Sequence, residues 1–184
     1  MTLYLIRHTQ PNVAAGICYG QLDLDVADGF ERDAATVKQW LPAPDLIVTS
    51  PLLRCRKLAE QLAQHCELQI DARLIEKNFG SWEGISWDEI DRTEIDAWSN
   101  DLMHYAPPGG ESVRQLMLRV QSLLDELTGL PQRNIALVAH GGSIRALLAL
   151  LAGIPLSNTL NWQIDYGAVI AVKFACSCVV ENGL

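Results

Sequence analysis

"IALVAHGGSIRALLALLAGIP", residues 135–155, decides how the rest of the chain is read. Residues 135–139 are apolar, partly β-branched and short, the mark of a strand buried on both faces. After His140, Gly141 and Gly142 a second apolar run extends from Ile144 to Ile154, interrupted by Arg145 and closed by Gly153 and Pro155. That run falls well short of the roughly 20 residues a membrane helix needs, so it predicts a helix buried in a protein core. A strand feeding straight into a buried helix is half of a βα unit, with polar residues parked at the junction.

The same alternation recurs outward from this stretch. Residues 3–6 (LYLI), 46–49 (LIVT), 68–70 (LQI) and 168–174 (AVIAVKF) read as further short strands. Val113, Leu116, Met117, Val120, Leu124 and Leu127 repeat at helical spacing, and Ser112 followed by Gln115 is a capping-box start. Ser50 and Pro51 suit the N-cap and first position of a helix reaching about His65. Such alternation predicts an α/β fold: a three-layer α/β/α sandwich around a mostly parallel sheet, with function at the carboxyl ends of the strands. Its 184 residues, 49% of them hydrophobic, suit one domain spanning 1–184. Residues 77–111, rich in Gly, Trp, Asp and Pro, are the least regular part and read as an active-site cover. Trp40 is expected in the core.

A net charge of −8 argues against nucleic acid or an anionic membrane as partner, since both need a positive surface. Five cysteines, Cys18, Cys55, Cys66, Cys176 and Cys178, form no CxxC pair, and no apolar leader precedes Arg7; both point to a reduced, cytoplasmic setting. Cys176 and Cys178 read as ordinary strand residues rather than metal ligands, because no His or acidic partner is near in sequence.

Polar residues gather at the predicted strand ends: Arg7 and His8 after the first, Ser50 and Arg54 after the second, Glu76 after the third, and His140, Gly141, Gly142 and Arg145 after the fourth. Arg54 and Arg145 fall near helix N-termini, where the partial positive charge of the helix disfavours a cation. A bound anion resolves the conflict, because free N–H groups and a guanidinium together make a phosphate site, and glycines let the anion approach the backbone.

Five motifs in order, "LIRHTQPN", "TSPLLRCRKLAE", "LIEKNFGSWEG", "PPGGES" and "VAHGGSIRALL", resemble the histidine phosphatase superfamily, which has the phosphoglycerate-mutase-like fold. The resemblance implies His8 as the nucleophile, carried as a phosphohistidine, with Arg7, Arg54 and His140 on the phosphoryl oxygens and Glu76 as proton donor. Gly141 belongs with the phosphate-binding group. The chemistry is coherent: a neutral imidazole is nucleophilic and gives an intermediate that water can break, while guanidiniums supply the charge neutralisation phosphoryl transfer needs. No metal and no cofactor is expected; the expected partner is a small-molecule phosphate ester.

Three positions depart from the family pattern. Thr9 stands where glycine is usual, Gln10 where an acidic or polar residue is usual, and Ala14 where an asparagine often stands; Asn12 is the candidate replacement. Glu83, in the same motif as Glu76, reads as a loop-structuring residue, and Ser112 as a helix cap rather than a nucleophile. His65 and His104 are assigned no chemistry. A serine hydrolase is disfavoured because neither "GSWEG" nor "GGESVR" supplies Gly-x-Ser-x-Gly. A non-catalytic phospho-ligand module is disfavoured because His8 and Glu76 are both present, and a mutase because the chain is short for that group. "HTQPNVAAGICYGQLDLDV" and "YAPPGGES" are most similar to the α-ribazole phosphatases of cobalamin biosynthesis, which implies α-ribazole 5′-phosphate as substrate. Phe79, Trp82, Trp87, Trp98 and Tyr105 offer flat surfaces for a heterocyclic base, or else pack the cover onto the body.

Overall fold

The computed structural model describes residues 1–173. Five strands form one sheet: β1 (Thr2–Arg7), β2 (Leu46–Thr49), β3 (Glu67–Ile70), β4 (Asn134–Ala139) and β5 (Val169–Lys173), in the spatial order β3-β2-β4-β1-β5. β1, β2, β3 and β4 run parallel, and β5 closes one edge antiparallel to β1. Among the described residues five α-helices accompany them: α1 (Phe30–Trp40), α2 (Leu53–Leu62), α3 (Arg92–Asn100), α4 (Val113–Thr128) and α5 (Gly141–Ala152).

Strand alternation explains the layers. Leu3 and Leu5 of β1, Leu46 and Val48 of β2, and Ile135 and Leu137 of β4 turn to one face and pack with α4 and α5. Ile6, Ile47, Ala136 and Val138 turn to the other and pack with α1 and α2. The sandwich is therefore three layers deep, as the βα alternation predicts. Burial drives it: Leu116, Val120, Leu123 and Leu127 on α4 are each at most 2% exposed, and hiding such a side chain contributes about 1.5–3 kcal/mol. Ser112 caps α4 as expected, accepting from the Gln115 N–H while the Gln115 side chain accepts from the Ser112 N–H. Gly153, at φ 64°, terminates α5 in the left-handed region.

Several expectations need correction. Ser50 does not cap α2, which begins at Leu53 and ends at Leu62; the Ser50 hydroxyl faces His140, and the free Leu53 N–H finds Asp23 Oδ1 at 2.6 Å instead. Trp40 is 74% exposed because it ends α1 beyond the face carrying Phe30, Ala34 and Val37. β3 is an edge strand, with Ile70 59% exposed. Arg145 is the fifth residue of α5, just past its first turn and so near the helix N-terminus, as expected. The segment 77–111 is partly regular, holding α3, whose Asp91 cap accepts from the Thr93 N–H. Cys176 and Cys178 lie outside the described residues. Among those described, no helix is long and apolar enough to cross a membrane.

Candidate active site

Register brings the site together. β1 and β4 pair with Arg7 opposite Ala139, so the residues that follow, His8 and His140, emerge side by side. Their ring centroids are 5.1 Å apart. β2 pairs with β4 one step earlier, Thr49 opposite Val138, which sets Ser50 beneath the same spot and starts α2 close enough to deliver Arg54. All three strands are parallel, so these groups share one end of the sheet.

His8 is 1% exposed, and its Nδ1 lies 2.6 Å from the Thr9 carbonyl oxygen. A carbonyl only accepts, so the ring proton sits on Nδ1 and Nε2 keeps its lone pair. Burial, with Arg54 and Arg7 nearby, pushes the imidazole from 6.5 down to about 3, against the raising effect of the Thr9 bond. His140 is fully buried and held well below the usual histidine range by burial, then by His8 and the arginines. Its Nε2 shares a 2.7 Å hydrogen bond with the Ser50 hydroxyl, and Cys55 Sγ is 3.4 Å from the same nitrogen.

Two guanidiniums lie near these rings, each anchored by backbone carbonyls. Arg54, 0% exposed, donates to the carbonyls of Leu22 (2.7 Å) and Gly20 (2.8 Å). Arg7 donates to the Ile164 carbonyl at 2.7 Å and lies 3.9 Å from the Tyr166 ring centroid. In each the buried Nε has no acceptor among the described residues, and neither has the Thr9 hydroxyl. Buried donors left unpaired are costly, and unpaired guanidinium Nε groups on two arginines close enough to His8 to act on it electrostatically suit an incoming oxyanion.

Glu76 reaches the site from the segment after β3. Its Oε2 accepts from the Gly142 N–H at 3.0 Å, in the first turn of α5, and its Oε1 accepts from the Lys77 N–H at 2.8 Å. A Cβ added at Gly141 would stand 3.2 Å from Arg145 Nη1 and in ordinary contact, 3.7 Å, with Arg7 Cζ. Asn12 is exposed on the loop after β1, its N–H bonded to the Asp25 carbonyl; no side-chain contact joins it to the His8 pocket among the described residues. Glu83 shapes a loop, as expected, accepting from the Gln21 and Phe79 N–H groups.

Beside Glu76 opens a cavity of about 250 Å³, lined by Lys77, Phe79, Trp98, Leu102, Arg145 and Leu160 among others. Of the five aromatic residues, Trp82 is the buried hub, with Phe79, Trp87, Trp98 and Tyr105 ring centroids 5.9–6.5 Å from it. Most of these rings therefore pack the cover, and only Phe79 and Trp98 also face the cavity. Lys77, Tyr19 and Tyr166 went unassigned in the sequence. The two tyrosine hydroxyls meet at 2.9 Å, with the Tyr166 ring 5.5 Å from that of His8. A lysine adjoining Glu76 was a legible signal; pairing of tyrosines so far apart in the chain was not.

A neutral imidazole beside buried guanidiniums is suited to phosphoryl transfer, and the chain belongs to the histidine phosphatase superfamily, branch 1, whose model matches residues 3–179. It is 31% identical to the adenosylcobalamin/α-ribazole phosphatase of Escherichia coli K12, over 99% of this chain and 96% of that protein. It is 36% identical to the glucosyl-3-phosphoglycerate phosphatase of Mycolicibacterium vanbaalenii, over 85% of this chain and 76% of that one. The crystal structure of the α-ribazole phosphatase of Shigella flexneri superposes with a TM-score of 0.87 at 26% identity, covering 95% of this chain and 91% of its own.

Proposed function

We propose that the protein is a metal-independent phosphomonoester hydrolase working through a phosphohistidine on His8, with α-ribazole 5′-phosphate as its preferred substrate. The observation that supports the chemistry is the 2.6 Å His8 Nδ1–Thr9 carbonyl hydrogen bond, which leaves Nε2 its lone pair, beside two arginines whose buried Nε groups have no acceptor among the described residues.

In the first half-reaction Nε2 attacks phosphorus while Arg7, Arg54 and His140 hold the phosphoryl oxygens. The ester P–O bond breaks, and its oxygen takes a proton from the Glu76 carboxyl to leave as the alcohol. In the second, the Glu76 carboxylate removes a proton from water, whose oxygen attacks phosphorus. The N–P bond breaks, its electron pair returns to Nε2, and inorganic phosphate departs with Glu76 protonated again. Gly141 gives the phosphoryl group close approach to the backbone, whereas Asn12, exposed and without a side-chain contact to the pocket among the described residues, has no part in this scheme.

The α-ribazole reading draws on the names of the E. coli and Shigella relatives and on Phe79 and Trp98 in the cavity wall, where a flat base gains about 0.5–1.5 kcal/mol per aromatic pair. The test is kcat/KM for α-ribazole 5′-phosphate, 3-phosphoglycerate and a simple sugar phosphate, measured side by side. The first is expected to lead by at least tenfold; a preference for 3-phosphoglycerate, or mutase turnover exceeding hydrolysis, overturns the assignment.

A further inference from the structure

The cavity beside Glu76 contains two donors that the chemistry above does not use. Lys77 is 4% exposed, yet no acceptor among the described residues reaches its Nζ. The Nε1 of Trp98 is likewise buried and unpartnered. Both residues line the same cavity, and Lys77 Nζ stands 4.4 Å from the ring centroid of Phe79, a third wall residue. Most of the remaining lining is hydrocarbon: Leu102, Val113, Leu116, Leu156 and Leu160.

A long, flexible lysine normally extends its ammonium to water. This one is withdrawn beneath the cover at a desolvation cost that lowers it from 10.5 to about 8, opposed by the carboxylates of Glu111, Glu76 and Glu83 and by Cys18. None of those carboxylates comes within ion-pairing distance. Glu111 is committed to Arg119 and to the Asn78 N–H, Glu83 to backbone N–H groups, and Glu76 to Gly142 and Lys77 N–H groups. The ammonium therefore has donors to spare next to the group that protonates the leaving oxygen.

We propose that Lys77, assisted by Trp98 Nε1, is a specificity-determining residue that donates hydrogen bonds to an oxygen acceptor carried by the leaving group close to the ester oxygen. This rests on the phosphomonoesterase reading and selects within it: leaving groups with a sugar hydroxyl or a carboxylate near the ester are favoured, and plain hydrocarbon ones are not. A site built to hydrogen-bond its ligand rejects an analogue lacking the acceptor, because the buried donors then stay unpaired.

The experiment compares wild type with Lys77→Met, Lys77→Arg and Trp98→Phe on four esters: α-ribazole 5′-phosphate, 3-phosphoglycerate, phenyl phosphate and n-butyl phosphate. The last two have no acceptor beyond the ester. Lys77→Met is expected to raise KM for the first two esters by 10- to 100-fold, to leave phenyl and n-butyl phosphate within threefold, and to be partly rescued by Lys77→Arg. Trp98→Phe is expected to give a smaller loss of the same pattern. In wild type, KM for 3-phosphoglycerate should rise as pH passes about 8 and the ammonium discharges, whereas KM for the riboside, whose hydroxyls need no charge, should hold. An equal change for all four esters, or none, overturns the role of Lys77, while the phosphatase reading survives so long as wild type hydrolyses any of them. Inactivity of wild type on all four defeats that reading itself.

Discussion

Gly142 and Glu76 fit one another without slack: the Gly142 N–H donates to Glu76 Oε2 at 3.0 Å, and a Cβ added at Gly142 would stand 2.3 Å from Glu76 Oε1. The helix start thus holds the carboxyl in a place that a larger residue at 142 would also need. Gly142→Ala should push the carboxyl aside and mimic Glu76→Gln. Both variants are expected to lose 10²–10⁴-fold in kcat on alkyl phosphates and far less on 4-nitrophenyl phosphate, whose leaving group needs little protonation. Steady-state rates on the two esters check this, and equal losses on both would argue against an acid role for Glu76.

Incubation with substrate and rapid quench should trap a phosphate on His8 that is labile to acid and stable to alkali. His8→Ala should trap none and lose at least 10³-fold in turnover. A His8→Ala variant with full activity would contradict the covalent route.

Charge neutralisation by Arg7 and Arg54 leads us to expect that activity survives exhaustive chelation and that vanadate inhibits, since its oxygens can satisfy the two Nε donors. Loss on chelation with recovery on adding a divalent ion would be evidence against this.

Stability should depend on pH through the two buried histidines. Above about 6.5 both are neutral whether the chain is folded or not, so they contribute no slope. Below it the unfolded chain takes up protons that folded His8, at about 3, and His140 refuse. Stability then falls with falling pH by on the order of 1.4 kcal/mol per unit for each histidine. Urea midpoints between pH 7 and pH 4.5 should show that decline, and His8→Asn should remove about half of it. An unchanged slope in His8→Asn would show that other groups govern acid sensitivity.

The parts legible in sequence were those set by short-range pattern. The strand of residues 135–139, the capping box at Ser112 and the polar residues at strand ends all followed from spacing and chain chemistry. What escaped was set by partners distant in the chain. Ser50 has the look of a cap, but burial against His140 recruits its hydroxyl elsewhere. Helix α1 went unassigned although Phe30, Ala34 and Val37 have helical spacing, because its start, Gly29, offers no side-chain cap. Trp40 was misplaced because hydrophobicity alone does not say which side of a helix faces in. The five aromatic residues of the cover were visible, but only the fold shows that Trp82 gathers them into a cluster of its own.

That cluster has a consequence for how such a protein diversifies. Trp82, Cys18 and Ile90 form a small core separate from the two that clamp the sheet, whereas Arg7, His8, Arg54 and His140 hang from the sheet's own strands and helices. Phe79 and Trp98, the two cover rings that also line the cavity, pack in this small core, so substitutions there are expected to leave the register of β1, β2 and β4 untouched and to combine almost independently with changes in the strands. Such a division lets the wall of the cavity change while the side chains at the strand ends stay in place, and relatives named for a riboside and for a glucosylated glycerate both share this fold.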